Sequence, residues 1–497
     1  MEPLGKKKFL VLLDQEEERH YGFDLLKNIH DNISILYTTE WDCEIKQYHE
    51  ESFPGVEKYY LDDIALNQNV LQHDNILEVI ENVLKSGPIP LTIRELANHS
   101  QEFLRPYHNR FYNITPNYEL FIKEIAAFHQ FLFILHKTNK YALILAPFKT
   151  GWQRKYSIYY FMSLGIPVTH LTDLRRSSMF VIEEWICGEV RFIGKSSKEL
   201  FISSIIDSGK DKVGINDYRD IENKNHNRTG HDWLKKKILN IVLNKFRVIF
   251  GRIPFMLSGR IKIKTVSEHN RYVYSLLHNF TYAAWEIATL INIICDLAFV
   301  AMFSGRIKSL LNKPYVLVAL HYFPESSTVG EYGRIKSEVE YFSEILNAYD
   351  HISNIIVIDH PTMVFSGERP RWQKNYFRQH SGVRYFPLIG FNGIDFDLIS
   401  NADAVITIAG GIALEKALTG KGVAKISVLH PMLCVENIYY FESSKICVLN
   451  LKSFNKNIRE YTAQQYCIEV DNMGFKISDF SEVFLRYAEK YHNQAYI

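Results

Sequence analysis

Short apolar runs alternate with longer stretches of helical periodicity along most of this chain, and that alternation constrains the fold more than any other feature. The first series places strands at 9–13, 33–38, 142–146 and 166–170, with a helix predicted over 157–164. Gly165 closes that helix and Pro167 opens the next strand, the punctuation expected where a helix hands over to a strand. After Pro314 a second series begins, with strands at 315–320, 354–358, 404–408 and 423–427 and helices at 338–348 and 412–418. Strands spaced by helices build βαβ units and parallel sheets. The expectation is an α/β protein of two Rossmann-like lobes with a cleft between them. Residues 1–310 form the first lobe, 311–477 the second and 478–497 a capped terminal helix.

Composition narrows the class. The 497 residues are 47% hydrophobic and 23% charged, which is ordinary globular usage and excludes disorder or a coiled coil for the bulk of the chain. Lys and Arg number 57 against 56 Asp and Glu, a net charge of +1, so nothing global favours nucleic acid. Cys43, Cys187, Cys295, Cys434, Cys447 and Cys467 form no CxxC pair, which argues against a zinc finger or a disulfide scaffold and fits a reducing compartment. The N-terminus is basic, but its apolar run reaches Asp14 before the roughly 7–15 residues of a signal peptide. The reading is a first buried strand and a cytoplasmic protein.

Charge is uneven locally. Residues 208–230 turn polar and read as a surface loop. From Trp233 to Thr265 come Lys235, Lys236, Lys237, Lys245, Arg247, Arg252, Arg260, Lys262 and Lys264, with no acid between Asp232 and Glu268. Leu234, Ile238, Ile241, Val242, Phe246 and Ile249 recur at helical spacing, so this insertion, about 232–265, is basic and amphipathic. It suits either an anionic membrane surface or a core-packed helix with a solvated basic face. The apolar run 287–303 is shorter than the roughly 20 residues of a membrane span and is broken by Asn292 and Asp296, which makes it a buried or interfacial helix.

Three strings in the second series carry chemistry. In ITIAGGIALEKALTGKGVAKI a strand ends at Thr407-Ile408, and Ala409-Gly410-Gly411 turns into a helix with Glu415 one turn inside. Helix N-terminal amides favour an anion, the glycines admit close approach, and Glu415 is placed to hold ribose hydroxyls. In IIVIDHPTM, His360-Pro361 follows a strand end, where open α/β sheets bind ligands and where an imidazole can donate to a phosphate. In YVLVALHYFPESSTVGEYG a strand runs out into Pro324-Glu325, then Ser326, Ser327 and Thr328, a nest for phosphate or carboxylate or simply a helix cap. Downstream, Arg369, Arg371 and Lys374 read by default as solvated loop charges, with Arg369 a candidate donor contact. Asp395-Phe396-Asp397 matches a DxD pattern too short to assign a metal, and Gly420-Lys421-Gly422 reads as a helix C-cap turn.

Over residues 315–431 these strings resemble bacterial capsule and surface-polysaccharide glycosyltransferases, including the β-Kdo transferases. That family looks like two Rossmann-type lobes of the GT-B kind. Its second lobe carries a Gln-Pro-Glu turn, a His-Pro motif and a small-residue turn followed by helix Glu-Ala. Here the first is Phe323-Pro324-Glu325, the second is intact at His360-Pro361, and the third runs from Ala409-Gly410-Gly411 to Glu415-Lys416. In the first lobe LGIPVTHLTDLRRSS echoes the family's Glu-Asp-Gly and Arg-Ser segments, with Thr172 and Leu174 flanking Asp173. The resemblance implies a metal-independent, nucleotide-sugar-dependent glycosyltransferase without a cofactor. Asp173, Glu325 and His360 would be catalytic, with Asp173 at the anomeric carbon. Ser326, Ser327, Thr328, Pro361, Arg369, Thr407, Gly410, Gly411 and Glu415 would bind the donor, read as a Kdo-like sugar on CMP. The acceptor would be a glycan or lipid-linked glycan at the inner face of the plasma membrane. Two alternatives stand beside it: polyol-phosphate transfer from CDP-glycerol, and a scaffold that binds nucleotide or glycan without turnover.

Overall fold

The computed structural model describes residues 8–13, 33–38, 50–51, 55–60, 75–87, 90–97, 118–147, 151–174, 179–186, 189–195, 239–240, 242–247, 250–251, 262–265, 271–274, 284, 286–296, 298–299, 313–321, 338–349, 354–360, 363, 369, 371–387, 394–408, 410–427, 430–441 and 463–493. In the first lobe the strands are β1 (Phe9–Leu13), β2 (Ile33–Tyr37), β3 (Glu57–Tyr60), β4 (Leu143–Leu145), β5 (Val168–Asp173), β6 (Phe180–Ile186) and β7 (Glu189–Ile193). They form one sheet in the order β3-β2-β1-β4-β5-β6-β7. Pairing is parallel from β3 to β5 and antiparallel from β5 to β7. The strands placed from the sequence, β1, β2, β4 and β5, pair in parallel as expected, and the antiparallel β6 and β7 were not among them. The link from Asp173 to Phe180 is too short for the crossover of a dozen or more residues that parallel pairing needs, so the chain reverses as a hairpin.

Helices α1 (Ile76–Lys85), α2 (Tyr118–Asn139) and α3 (Trp152–Ser163) cover one face of this sheet around Ile80, Ile125, Phe128, Tyr156 and Phe161. Helix α3 begins at Trp152, earlier than its periodicity suggested, and ends at Ser163, with Leu164 as its C-cap and then Gly165, whose φ of 73° suits a residue without Cβ.

The second lobe holds β10 (Val316–Ala319), β11 (Ile355–Ile358), β12 (Val383–Phe386), β13 (Ala404–Thr407), β14 (Val423–Ile426) and β15 (Ile438–Tyr440), with β8 (Lys262–Thr265) and β9 (Arg271–Tyr274) forming a separate hairpin before it. Its sheet order is β12-β11-β10-β13-β14-β15, all parallel. Numbered within the lobe this is 3-2-1-4-5-6, the dinucleotide-fold order, whose switch point lies between β10 and β13. Side chains alternate across the sheet as a strand's period of two requires. Val316 and Val318 pack with Tyr341 and Phe342 of α4 (Glu338–Ala348) and Phe377 of α5 (Arg371–Gln379). Tyr315 and Leu317 pack the other face, with Leu398 and Ile399 of α6 (Ile394–Asn401).

The chain crosses between the lobes more than once. Helices α7 (Ile412–Leu418) and α8 (Ala463–Met473) share a buried cluster with Leu174, Val181 and Phe192 of the first lobe. The terminal helix α9 (Phe480–Asn493) returns to the first lobe, where Phe480, Phe484 and Tyr487 cover the second face of its sheet. Burial of the first sheet's two faces therefore depends on residues from both ends of the sequence.

Three readings of the middle of the chain change. The basic segment is helical at 239–240, 242–247 and 250–251, but Lys262–Thr265 is a strand. The helical residues of 284–299 fall before residue 310, yet they pack on the second lobe: Arg371 Nε donates to Asn292 Oδ1 at 3.0 Å, Lys374 pairs with Asp296, and Phe299 packs against the cluster that holds Phe386. Two of the charges in SGERPRWQK are not solvated: α5 begins at Arg371, which is exposed, but Arg369 and Lys374 are buried. The polar loop predicted at 208–230 lies outside the described residues.

Candidate active site

The C-terminal ends of three adjacent strands, β11, β10 and β13, carry the residues singled out in the second lobe. Past β10, His321 is buried and its Nε2 lies 2.8 Å from Thr407 Oγ1 at the end of β13. Ile408 N–H donates to the same Nε2 at 3.2 Å, so the neutral ring carries its proton on Nδ1. Gly410 N–H donates to Thr407 Oγ1 at 3.3 Å, which fixes the turn into α7. A Cβ at Gly410 would sit 2.8 Å from Thr407 Oγ1 and 3.7 Å from His321 Nε2, so glycine is required for this approach. Gly411 is the N-cap of α7, and Glu415 lies inside the helix with its N–H bonded to Gly411 O at 3.1 Å, where its carboxylate suits the positive end of the helix dipole.

Past β11, Asp359 is the hub of a buried polar cluster. Arg369 Nε and Nη2 bind Asp359 Oδ2 and Oδ1, each at 2.6 Å, a bidentate guanidinium–carboxylate pair. Tyr385 OH donates to Oδ2 at 2.6 Å and His360 N–H to Oδ1 at 2.8 Å. Arg369 also donates to His321 O at 3.2 Å and to Gln373 Oε1 at 3.2 Å, tying the exits of β10 and β11 to α5. Burial pushes the Asp359 carboxyl upward, and the Tyr385 hydroxyl, the His360 N–H and the Lys374 charge draw it back. Burial likewise lowers the Arg369 guanidinium to about 10. His360, partly exposed, is thus held by its own backbone over a rigid buried pair.

These contacts show how two of the predicted donor residues are engaged within the protein. Arg369 and Thr407 were expected to touch a donor, but both are fully buried and engaged in positioning His321, His360 and Gly410. Of the residues singled out in the second lobe, His360, Gly410, Gly411 and Glu415 are partly exposed. Glu325, Ser326, Ser327, Thr328 and Pro361 lie outside the described residues. His321 and Asp359 carried no signal of their own in the sequence. Their position at strand ends, one beside FPESST and one beside His-Pro, was the available clue.

In the first lobe Asp173 ends β5 at the lobe junction. Its backbone carbonyl accepts from His430 Nε2 of the second lobe at 2.8 Å, while His430 Nδ1 accepts from Met432 N–H at 3.1 Å. Next to it, Leu174 O accepts from Tyr466 OH at 3.2 Å, and the Leu174 side chain packs in the same cluster as Ala413 and Leu414 of α7. The backbone at the end of β5 and helix α7, which follows the glycine turn, therefore meet at one junction from opposite lobes. Lys416, where the resembling family has alanine, is buried and donates to Ala402 O and, at 3.1 Å, to Ser400 O, satisfying carbonyls at the end of α6. Among the described residues no group of His, Cys, Asp and Glu is arranged to hold a metal ion.

No protein-family model matches the chain, and no curated protein matches its sequence. Among solved structures it is similar to a UDP-GlcNAc 2-epimerase from Methanocaldococcus jannaschii in complex with UDP-GlcNAc and UDP, at 12% identity over 97% of this chain and 99% of that one, with a TM-score of 0.26. It is also similar to KpsC, β-Kdo 2,7 transferase, from Thermosulfurimonas dismutans, at 10% identity over 72% of this chain and 88% of that one, with a TM-score of 0.29. A UDP-GlcNAc 2-epimerase from Neisseria meningitidis bound to UDP-GlcNAc gives 11% identity over 97% and 100%, with a TM-score of 0.24. Likeness at this level transfers no activity. The two-lobe α/β fold stands on the strand orders themselves.

Proposed function

We propose that the chain is a nucleotide-sugar-dependent glycosyltransferase of the GT-B kind, acting in surface-polysaccharide synthesis. The observation that carries this reading is the convergence at the lobe junction. A switch-point site built from His360, Gly410, Gly411 and Glu415 lies in one lobe, and Asp173 reaches the same junction from the other. Ligands of open α/β sheets lie beyond the strand ends at such a switch point. There the glycine turn admits a diphosphate or phosphodiester, His360 donates to its oxygen and Glu415 accepts from ribose hydroxyls. Asp173 is the carboxylate available at the reacting carbon, as nucleophile or as general base toward the acceptor hydroxyl. The donor we favour is a Kdo-like ulosonic acid on CMP, and the acceptor a glycan or lipid-linked glycan.

Nucleotide release from CMP-Kdo, CMP-sialic acid, CDP-glycerol and UDP- and GDP-sugars, with an acceptor glycan present, tests the reading. The expected result is release from CMP-Kdo that drops by about 100-fold or more in Asp173→Ala and in His360→Ala, with both variants folded. Release from CDP-glycerol would replace sugar transfer by polyol-phosphate transfer. Donor binding without turnover across the panel would make the protein a scaffold.

A further inference from the structure

Two helical segments of the middle region turn apolar side chains to the surface. In the 284–299 segment the exposed residues are Ala284, Ile287, Ala288, Ile291, Ile294, Cys295 and Ala298, whereas Glu286 and Asp296 are buried beside Thr289, Leu290 and Ile293. Glu286 pairs with Lys245 at 2.7 Å and Asp296 pairs with Lys374. A helix facing water carries its charges outward. Along the 239–251 segment Leu239, Leu243, Phe246 and Phe250 lie four, three and four residues apart, and all are exposed, Phe250 by 61% and Leu239 by 57%. Those intervals put all four on one stripe. The Lys245–Glu286 pair ties this stripe's helix to the 284–299 segment.

The sequence around the stripe decides what covers it. Nine Lys and Arg lie between Trp233 and Thr265 with no acid among them, in a chain whose net charge is only +1. A second copy docking here by two-fold symmetry would bring this basic segment against itself. An anionic bilayer instead rewards both features, since apolar side chains enter the acyl boundary while lysines and arginines meet the headgroups. Among the described residues no helix is long and apolar enough to cross a membrane, so the contact is interfacial.

We propose that Leu239, Leu243, Phe246 and Phe250, together with Ile287, Ile291 and Ile294, form one lipid-docking surface that seats the protein on an anionic leaflet. Asn292 and Asp296 root that surface on α5, the helix whose Gln373 binds Arg369, so docking would hold the second lobe at the bilayer. This deepens the proposed function, on which the lipid-linked acceptor rests, while bilayer binding itself needs neither donor nor acceptor.

The test is flotation of the full chain with vesicles of phosphatidylcholine alone or with about a third phosphatidylglycerol. Wild type floats with the anionic vesicles, less so as salt rises. Phe246→Ser/Phe250→Ser and, separately, Ile291→Ser/Ile294→Ser each weaken partition by roughly tenfold or more, with circular dichroism and urea midpoints unchanged because these side chains are exposed. Wild type that stays unbound, or variants that bind as well as wild type, would overturn the proposal. So would a dimer in sedimentation velocity that the same substitutions dissociate, which would assign the surface to a second copy. Vesicle binding without turnover of any donor would leave the docking surface standing and remove the enzymatic reading alone.

Discussion

Beyond β1 and β2 in the first lobe, the sheet edge is closed by a large side chain: Arg154 of α3 is fully buried and donates to Thr38 Oγ1 at 3.3 Å, and Thr38 in turn bonds Leu13 O. Beyond β10 and β13 in the second lobe, where the strand order reverses, the exit is backbone, with Gly410 drawn onto Thr407 and His321. Both sheets follow the same strand order up to their sixth strand. Past β10 and β11 the second lobe has its own buried arginine, Arg369, so the two lobes fill that exit alike and differ in the glycine turn at the second lobe's switch point. The lobes also differ in how they hold buried carboxylates. Glu183 takes the Trp185 indole N–H at 2.6 Å and the Thr172 hydroxyl, both neutral donors, whereas Asp359 takes a bidentate guanidinium.

That contrast breaks most sharply at Asp359. Asp359→Ala leaves Arg369 buried without its carboxylate, and loss of one partner of such a pair costs about 3–5 kcal/mol. Urea unfolding followed by Trp372 and the tyrosines of the second lobe should show that loss. A cost under about 1 kcal/mol would mean the guanidinium finds other partners or water.

A smaller effect separates two glycines. Gly410→Ala meets Thr407 Oγ1 at 2.8 Å and should cost about 1–3 kcal/mol and weaken nucleotide binding, read by calorimetry. Gly165→Ala meets nothing within 4 Å but must hold a φ of 73°, which costs about 1 kcal/mol and should leave nucleotide affinity unchanged. Equal affinity in the two variants would remove the second lobe's glycine turn from the site.

The smallest effect concerns Lys416, whose pKa burial lowers to about 8 although Asp403 opposes it. Below that value both folded and unfolded chains hold the proton. Between about 8 and the ordinary 10.5 the unfolded chain keeps it and the folded chain releases it, so folding is favoured as pH rises through this window. Wild type should therefore gain stability relative to Lys416→Met between pH 7.5 and 10 in urea midpoints. A constant difference would show that the carbonyls of Ser400 and Ala402 keep the amine charged.

The strands β1, β2, β10, β11, β13 and β14, the helices 338–348 and 412–418, and the glycine turn were legible in the sequence, because apolar periodicity and glycine placement report backbone geometry over a few residues. The strands β12 and β15 and the helix α6 escaped notice, being short elements without a clear period. Arg369 and Lys374 looked like loop charges because nothing within the string says that their carboxylates wait elsewhere. Asp359 is 10 positions earlier and Asp296 is 78, and burial makes sense only once both partners are in place.

His321 was invisible for the same reason, since Thr407 lies 86 positions downstream. Amino-acid order alone determined two parallel-sheet lobes, a chemistry-bearing edge on the second and a basic, apolar middle region. The tertiary structure decided which charges are buried, at which glycine a side chain would meet its neighbours, and which helix turns apolar side chains outward. Those outcomes depend on desolvation, and desolvation is set by distant segments that no local pattern encodes.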